Sequence, residues 1–238
     1  MSETRTRNVL VTGGSGALGA SIVERFAKEG DRIWFTYHRN TDRALDLAKR
    51  TGATAIQADL TQRSQVEALF AQIDAPLDVL VNNAGLTQVM PFALIEEEDW
   101  DHVLQGCLKT LFLVTREAVR GMIGARRGAI VNIGSIAGRR VLEVPVHYAT
   151  AKSAISGFTL SLAKELSRYN VRVNAVIPGM LDDGVSALVP EKQKSEFMRF
   201  CLANRTGKTS EVAEAVFFLA SDAASYINAQ ELVVDGGL

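Results

Sequence analysis

Short apolar, β-branched runs recur along this chain, and most are apolar throughout rather than alternating. They lie at 8–12 (NVLVT), 32–37 (RIWFTY), 54–57, 79–82 (VLVN), 128–133 (GAIVNI), 171–177 (VRVNAVI) and 231–234. An alternating strand keeps one wet face, whereas a continuously apolar one is covered on both, as in a parallel sheet. Between the runs lie longer amphipathic stretches such as 16–29 and 97–125. A β-α-β-α rhythm with buried strands predicts an α/β fold. The expected architecture is an open, doubly wound sheet of about seven parallel strands with helices on both faces. Such sheets bind ligands at the carboxyl ends of their strands. The loops after Thr12, Tyr37, Asn82, Ile133 and Ile177 are therefore expected to carry the function.

Composition narrows the class. With 238 residues, 47% hydrophobic and 22% charged, the chain is too apolar for disorder and long enough to fold without disulfides or metal. A formal net charge of −1 argues against a nucleic-acid or membrane-surface partner. Cys107 and Cys201 lie far apart without CxxC spacing and read as thiols of a reducing compartment. His38, His102 and His147 are scattered and no HExxH pattern occurs, so no metal site is expected. No apolar run of about 18 residues suits a membrane span, and the start of the chain has no signal-like apolar stretch. No linker or repeat divides the sequence. The expectation is a cytoplasmic protein with a single domain over 1–238 and a substrate lid at about 181–204.

The first run leads directly into Thr12-Gly13-Gly14-Ser15-Gly16-Ala17-Leu18-Gly19. Glycines here allow a tight turn, and backbone N–H groups of the following helix can meet a phosphate. The segment fits both GxGxxG and TGxxxAxG, which in a strand–turn–helix context points to a dinucleotide site of Rossmann type. Gly13, Ser15, Gly16, Leu18 and Gly19 are its candidate contacts. The second run ends in Tyr37-His38-Arg39-Asn40, with no acid to accept from a ribose 2′-hydroxyl. Arg39, with His38, suits a 2′-phosphate instead, which favours NADPH (NADP+). Asp59, followed by Leu60, is placed either to accept from an adenine amino group or to cap the next helix.

Further motifs follow in order. Asn82-Asn83-Ala84-Gly85 stands after the fourth run and Ser135 after the fifth, and Pro178-Gly179 follows the sixth. Tyr148 and Lys152 are four residues apart, so a helix places them on one face. An ammonium beside a phenol favours the phenolate, so Tyr148 can exchange a proton with a carbonyl or alcohol oxygen. Ser135 can donate to the same oxygen. Together these segments resemble the short-chain dehydrogenase/reductase family, and within it the bacterial 3-oxoacyl-(acyl-carrier-protein) reductases. The resemblance spans nearly the whole chain.

It implies a catalytic set of Ser135, Tyr148 and Lys152, with Lys152 also on the nicotinamide ribose. It places Asn83, Ala84 and Gly85 along the adenine wall and under the central sheet. Pro178 and Gly179 would close over the nicotinamide. It also implies a homotetramer, or a homodimer, built through the long helices and a C-terminal strand face. The implied activity is NADPH-dependent reduction of a 3-oxoacyl thioester, on an acyl carrier protein or coenzyme A, in fatty-acid or polyketide-type assembly. Reduction of a small non-thioester ketone and a cofactor-binding protein without catalysis are the alternatives.

Three positions depart from the family pattern. Cys107 stands where the family has an asparagine that helps hold a relay water, and a thiol hydrogen-bonds weakly. Gly16 stands where NADPH-using relatives often carry a basic residue, which leaves Arg39 more responsible. Asp183 replaces a threonine that contacts the nicotinamide amide. For substrate, Val185, Leu188, Val189, Phe197, Met198 and Phe200 are expected to line an apolar acyl channel. Arg139 and Arg140, aided by Arg126, Arg127 and Arg168, are placed as a candidate surface for phosphopantetheine or an acidic carrier protein.

Overall fold

In the computed structural model, which describes residues 5–184, 186 and 189–238, the apolar runs become seven strands. These are β1 (Asn8–Val11), β2 (Arg32–Tyr37), β3 (Thr54–Gln57), β4 (Val79–Asn82), β5 (Gly128–Ile133), β6 (Val171–Pro178) and β7 (Glu231–Val234). Every pairing is parallel, and the order across the sheet is β3-β2-β1-β4-β5-β6-β7. The chain winds outward from β1 to β3, then crosses back to place β4 on the other side of β1. That reversal opens a crevice between the ends of β1 and β4.

The helices are α1 (Ala17–Ala27), α2 (Thr41–Thr51), α3 (Arg63–Ala71), α4 (Glu97–Leu104), α5 (Thr110–Ala125), α6 (Val146–Leu166), α7 (Glu191–Phe200) and α8 (Thr209–Ala220). Two cores show why the strands had to be apolar throughout. Val9, Val11, Phe35 and Val131 pack with Ile22 and Phe26 of α1 and Val216 and Leu219 of α8. Leu10, Trp34, Leu80 and Ile130 face the other way, onto Val66 of α3, Val114 of α5 and Leu166 of α6. Successive residues of one strand thus enter different cores. At about 25 cal/mol per Å² of buried apolar surface, both faces contribute to holding the sheet.

The segment 97–125 is helical throughout but is not one continuous α-helix. Gln105–Lys109 forms a π-helical turn between α4 and α5. Gly106 admits Leu86 so closely that a Cβ there would collide with the leucine side chain. The Thr110 hydroxyl donates to the Gly106 carbonyl oxygen at 2.8 Å, taking an acceptor from the helical ladder. The first helix is also shorter than its pattern. It runs from Ala17 to Ala27 with Gly16 as its N-cap, and its C-terminal turn leads into Gly30, which has φ +78°.

Candidate active site

All the cofactor and catalytic candidates named from the sequence line one cleft of about 1270 Å³ at the carboxyl ends of the strands. Thr12, just past β1, organises its floor. The Thr12 N–H donates to the Val81 carbonyl oxygen at 3.0 Å. Its hydroxyl oxygen accepts from the Asn83 and Ala84 N–H groups at 3.0 and 2.9 Å. The Asn83 side chain donates to the Thr12 and Gly13 carbonyl oxygens at 3.0 and 3.1 Å. Asn83 therefore braces the glycine turn with its side-chain amide, and its backbone N–H and that of Ala84 are taken by Thr12.

The glycines have steric reasons. Gly13 has φ +65°, and a Cβ there would stand 3.0 Å from the Ala84 Cα. A Cβ at Gly19 would run into the Gly13 carbonyl oxygen, so α1 can approach the turn only with glycine at that position. Gly16 caps α1 without a side-chain bond, and the first turn carries no acid. The opening amides of α1 thus keep their positive end toward the cleft, as a pyrophosphate requires. Ser15 and Leu18 flank them in the cleft wall.

At the far end stand His38, Arg39, Asp59 and Leu60. Arg39 is exposed and makes no ion pair among the described residues. Asp59 is not the cap of α3, whose N-cap is Gln62. Its Oδ1 instead accepts from the Thr61 N–H and hydroxyl at 3.0 and 2.7 Å, a local turn favoured over capping because Thr61 lies two residues on. Partial burial pushes the Asp59 carboxyl up. The Thr61 bonds and the charges of His38 and Lys109 outweigh it and hold the group below its ordinary value.

The other half of the cleft holds the reactive groups. Lys152 is buried, and its Nζ donates to the Ile133 carbonyl oxygen at 2.9 Å. The same Nζ lies 5.9 Å from the centroid of the Tyr148 ring. Ser135 follows β5, and its hydroxyl oxygen accepts from the Ala137 N–H at 3.1 Å, which leaves the hydroxyl proton free to donate. The Ser153 hydroxyl donates to the Gly138 carbonyl oxygen at 2.9 Å, clamping the Ser135 loop onto α6. Beneath them, Asn82 Nδ2 donates to Thr115 Oγ1 and Asn132 Oδ1, and Asn132 Nδ2 donates to Thr159 Oγ1, each at 2.9 Å. This buried ladder ties β4 and β5 to α5 and α6. Pro178 and Gly179 close the cleft from β6, where the Gly179 N–H donates to the Val234 carbonyl oxygen at 2.9 Å.

Cys107 sits on the π-helical turn, buried, with its thiol donating to the Leu86 carbonyl oxygen at 3.3 Å. Asp183 lines the cleft and accepts from the Gly184 N–H at 2.6 Å. Val189, Phe197 and Phe200 line the substrate side. Met198 does not. It is partly buried against a separate cluster around Ile136, Ala175 and Ile177. Val185 and Leu188 lie outside the described residues.

The arginine surface requires correction. Arg139 is ion-paired with Glu231 of β7. Arg140 donates to the Leu238 carbonyl oxygen at 2.9 Å. Arg126 and Arg127 precede β5, and Arg168 precedes β6, so parallel strands carry all three to the opposite end of the sheet from the cleft. Arg127 pairs there with Asp78 at 2.7 Å. Two residues have structural weight that sequence reading missed. Thr12 gave no signal beyond its place at the head of the glycine turn. His147, next to Tyr148, is wholly buried, where its type alone suggests exposure or titration.

Comparisons with known proteins agree with this architecture. A protein-family model described as enoyl-(acyl carrier protein) reductase matches residues 14–238. The chain is 36% identical to 3-oxoacyl-(acyl-carrier-protein) reductase FabG of Chlamydia trachomatis serovar D, covering 98% of this chain and 97% of that protein. It is 36% identical to nodulation protein G of Rhizobium meliloti, covering 100% and 99%. A solved double mutant of a Serratia marcescens short-chain dehydrogenase/reductase superposes with a TM-score of 0.90 at 33% identity, covering 97% of each chain. With a family model matching residues 14–238, relatives 36% identical over nearly the whole of both chains and this solved fold at 33% identity, the chain belongs to the short-chain dehydrogenase/reductase family.

Proposed function

We infer that this protein is an NADPH-dependent ketoreductase acting on a 3-oxoacyl thioester, in fatty-acid or polyketide-type synthesis. The observation that carries the reading is the meeting, in one cleft, of an uncapped α1 N-terminus with Ser135, Tyr148 and Lys152. The open glycine turn, the amides of α1 and the acid-free end of β2 fit a dinucleotide bearing a 2′-phosphate, with Arg39 as its reader and Lys152 on the nicotinamide ribose. When bound, such a cofactor supplies the hydride. The Tyr148 hydroxyl gives its proton to the carbonyl oxygen, and Ser135 donates a hydrogen bond that holds this oxygen in place. The buried Lys152 ammonium, on the Tyr148 side of the cleft, favours the negative charge left on the phenol oxygen. The FabG relatives support the thioester as substrate.

A second reading, reduction of a small uncharged ketone, gains from the fate of the arginines. Arg139 is committed to Glu231, and three others face away from the cleft. On the substrate side the charged lining groups are Glu143, Asp183 and Glu196, with Lys152 the one lysine or arginine among the described residues there. Spectrophotometric NADPH oxidation with an acetoacetyl thioester, against a panel of plain ketones, decides between them. Thioester turnover supports the first reading, and turnover of plain ketones alone supports the second. Tight NADPH binding without any turnover overturns both.

Half-exposed apolar side chains, Phe112 of α5 and Leu160 of α6, support assembly into a homotetramer or homodimer through these helices. Light scattering at a monomer mass overturns that.

A further inference from the structure

The first amides of any helix lack partners within it. In α6 the N-cap is Pro145, which offers no side-chain acceptor. The Tyr148 N–H belongs to that first turn, and its partner is the imidazole of the residue before it: it donates to His147 Nδ1 at 3.0 Å. His147 is fully buried. A ring that accepts at Nδ1 while neutral must carry its proton on Nε2, so one tautomer is selected. Nε2 has no hydrogen-bond partner among the described residues. The charged group it feels from α4 is Asp99, whose Oδ1 accepts from Gln88 Nε2 at 2.6 Å. Gln88 Oε1 is also buried without a hydrogen-bond partner among the described residues. On α6 itself the neighbouring titratable groups are Tyr148 and Lys152, and on the adjoining π-helical turn Cys107.

We propose that His147 is a positioning residue for Tyr148: its unprotonated Nδ1 holds the Tyr148 amide, and with it the turn that carries the phenol, and protonation of the ring releases it. An imidazolium has a donor on both nitrogens, so Nδ1–H would face the Tyr148 N–H donor to donor. The contact then becomes repulsive and the first turn of α6 loses the side-chain acceptor of its Tyr148 N–H. Burial pushes the imidazole below its ordinary value and the Asp99 charge opposes this, so the ring is neutral at neutral pH. The proposal rests on Tyr148 as proton donor, and one consequence is an acid limb in kcat that belongs to His147.

The test is the pH profile of kcat for the NADPH-loaded protein with an acetoacetyl thioester, for wild type, His147→Asn and His147→Leu. Asparagine can place its side-chain oxygen near Nδ1 and does not titrate. It is expected to retain most of the neutral-pH kcat and to lose the acid limb. Leucine is expected to lower kcat about 10- to 100-fold, the scale of a misplaced catalytic group, with KM for NADPH little changed. An acid limb that persists unshifted in His147→Asn overturns the proposal, and so does wild-type kcat in a folded His147→Leu. The imidazole nitrogens, observed by 15N NMR of the wild type at neutral pH, give a readout independent of turnover. A protonated Nε2 with a bare Nδ1 supports the contact, and the reverse tautomer overturns it. If Tyr148→Phe keeps full turnover, the reading of Tyr148 fails instead, while the NMR result still judges the contact.

Discussion

The Lys152 ammonium donates to the Ile133 carbonyl oxygen at 2.9 Å, a buried contact that helps join the helix bearing Tyr148 to the strand that leads into Ser135. Lys152 therefore has a structural task as well as a chemical one. Lys152→Met is expected to cost about 1–3 kcal/mol of stability, because the Ile133 carbonyl loses its buried donor. Urea unfolding measures this, and a variant as stable as wild type would remove the structural half of the role.

Tyr148→Phe separates chemistry from fold. The ring remains and only the proton donor is lost. The expected result is a kcat lower by about 10²- to 10⁴-fold, with an unchanged thermal midpoint. Steady-state kinetics beside a melting curve checks both.

Arg39 is exposed, free of ion pairs among the described residues, and set at the end of β2 where no acid competes. Arg39→Asp is expected to weaken NADPH by about 10- to 100-fold, the worth of a charge-assisted phosphate contact, and NADH far less. Titration of both cofactors by intrinsic fluorescence decides. Equal losses show that Arg39 does not read the 2′-phosphate.

Gly19→Ala tests the close approach of α1 to the glycine turn. The added Cβ would meet the Gly13 carbonyl oxygen, which is backbone and cannot swing away. Destabilisation of about 1–3 kcal/mol is expected from overpacking, with weaker cofactor binding because the α1 amides are displaced. Unaltered binding would separate the turn from the cofactor site.

The buried His147 also links stability to pH. Its value in the folded protein lies below the ordinary one, so the unfolded chain binds the proton more readily. Stability is therefore full above the unfolded value of about 6.5 and declines as pH falls from there toward the lower folded value. Thermal melts of wild type and His147→Asn across this range should converge at acid pH. Parallel curves would show that the ring does not contribute.

Cys107 spends its thiol on the Leu86 carbonyl oxygen. An asparagine at this point of the π-helical turn would add an amide beside the Tyr148–Lys152 site. Cys107→Asn is expected to raise turnover, and an unchanged rate and pH profile would show that the side chain plays no part in proton supply.

Much of this protein is legible in local pattern. Continuous apolar runs require a sheet covered on both faces, and Val9, Leu10 and Val11 enter alternate cores accordingly. The spacing of Tyr148 and Lys152 requires one helix face, and the glycines of the first turn mark the place where backbone must approach backbone. These features depend on periodicity and on steric size, which neighbouring residues in the chain settle among themselves. The state of the charged and polar side chains was decided elsewhere. Glu231, 92 residues beyond Arg139 in sequence, takes that arginine out of the substrate site. Leu86 packs onto Gly106 within the π-helical turn, and His147 of α6, a helix that packs on α4, is buried where the Asp99 charge reaches it. Whether a charge is free, paired or buried depends on partners distant in sequence, and only the folded chain brings them within reach.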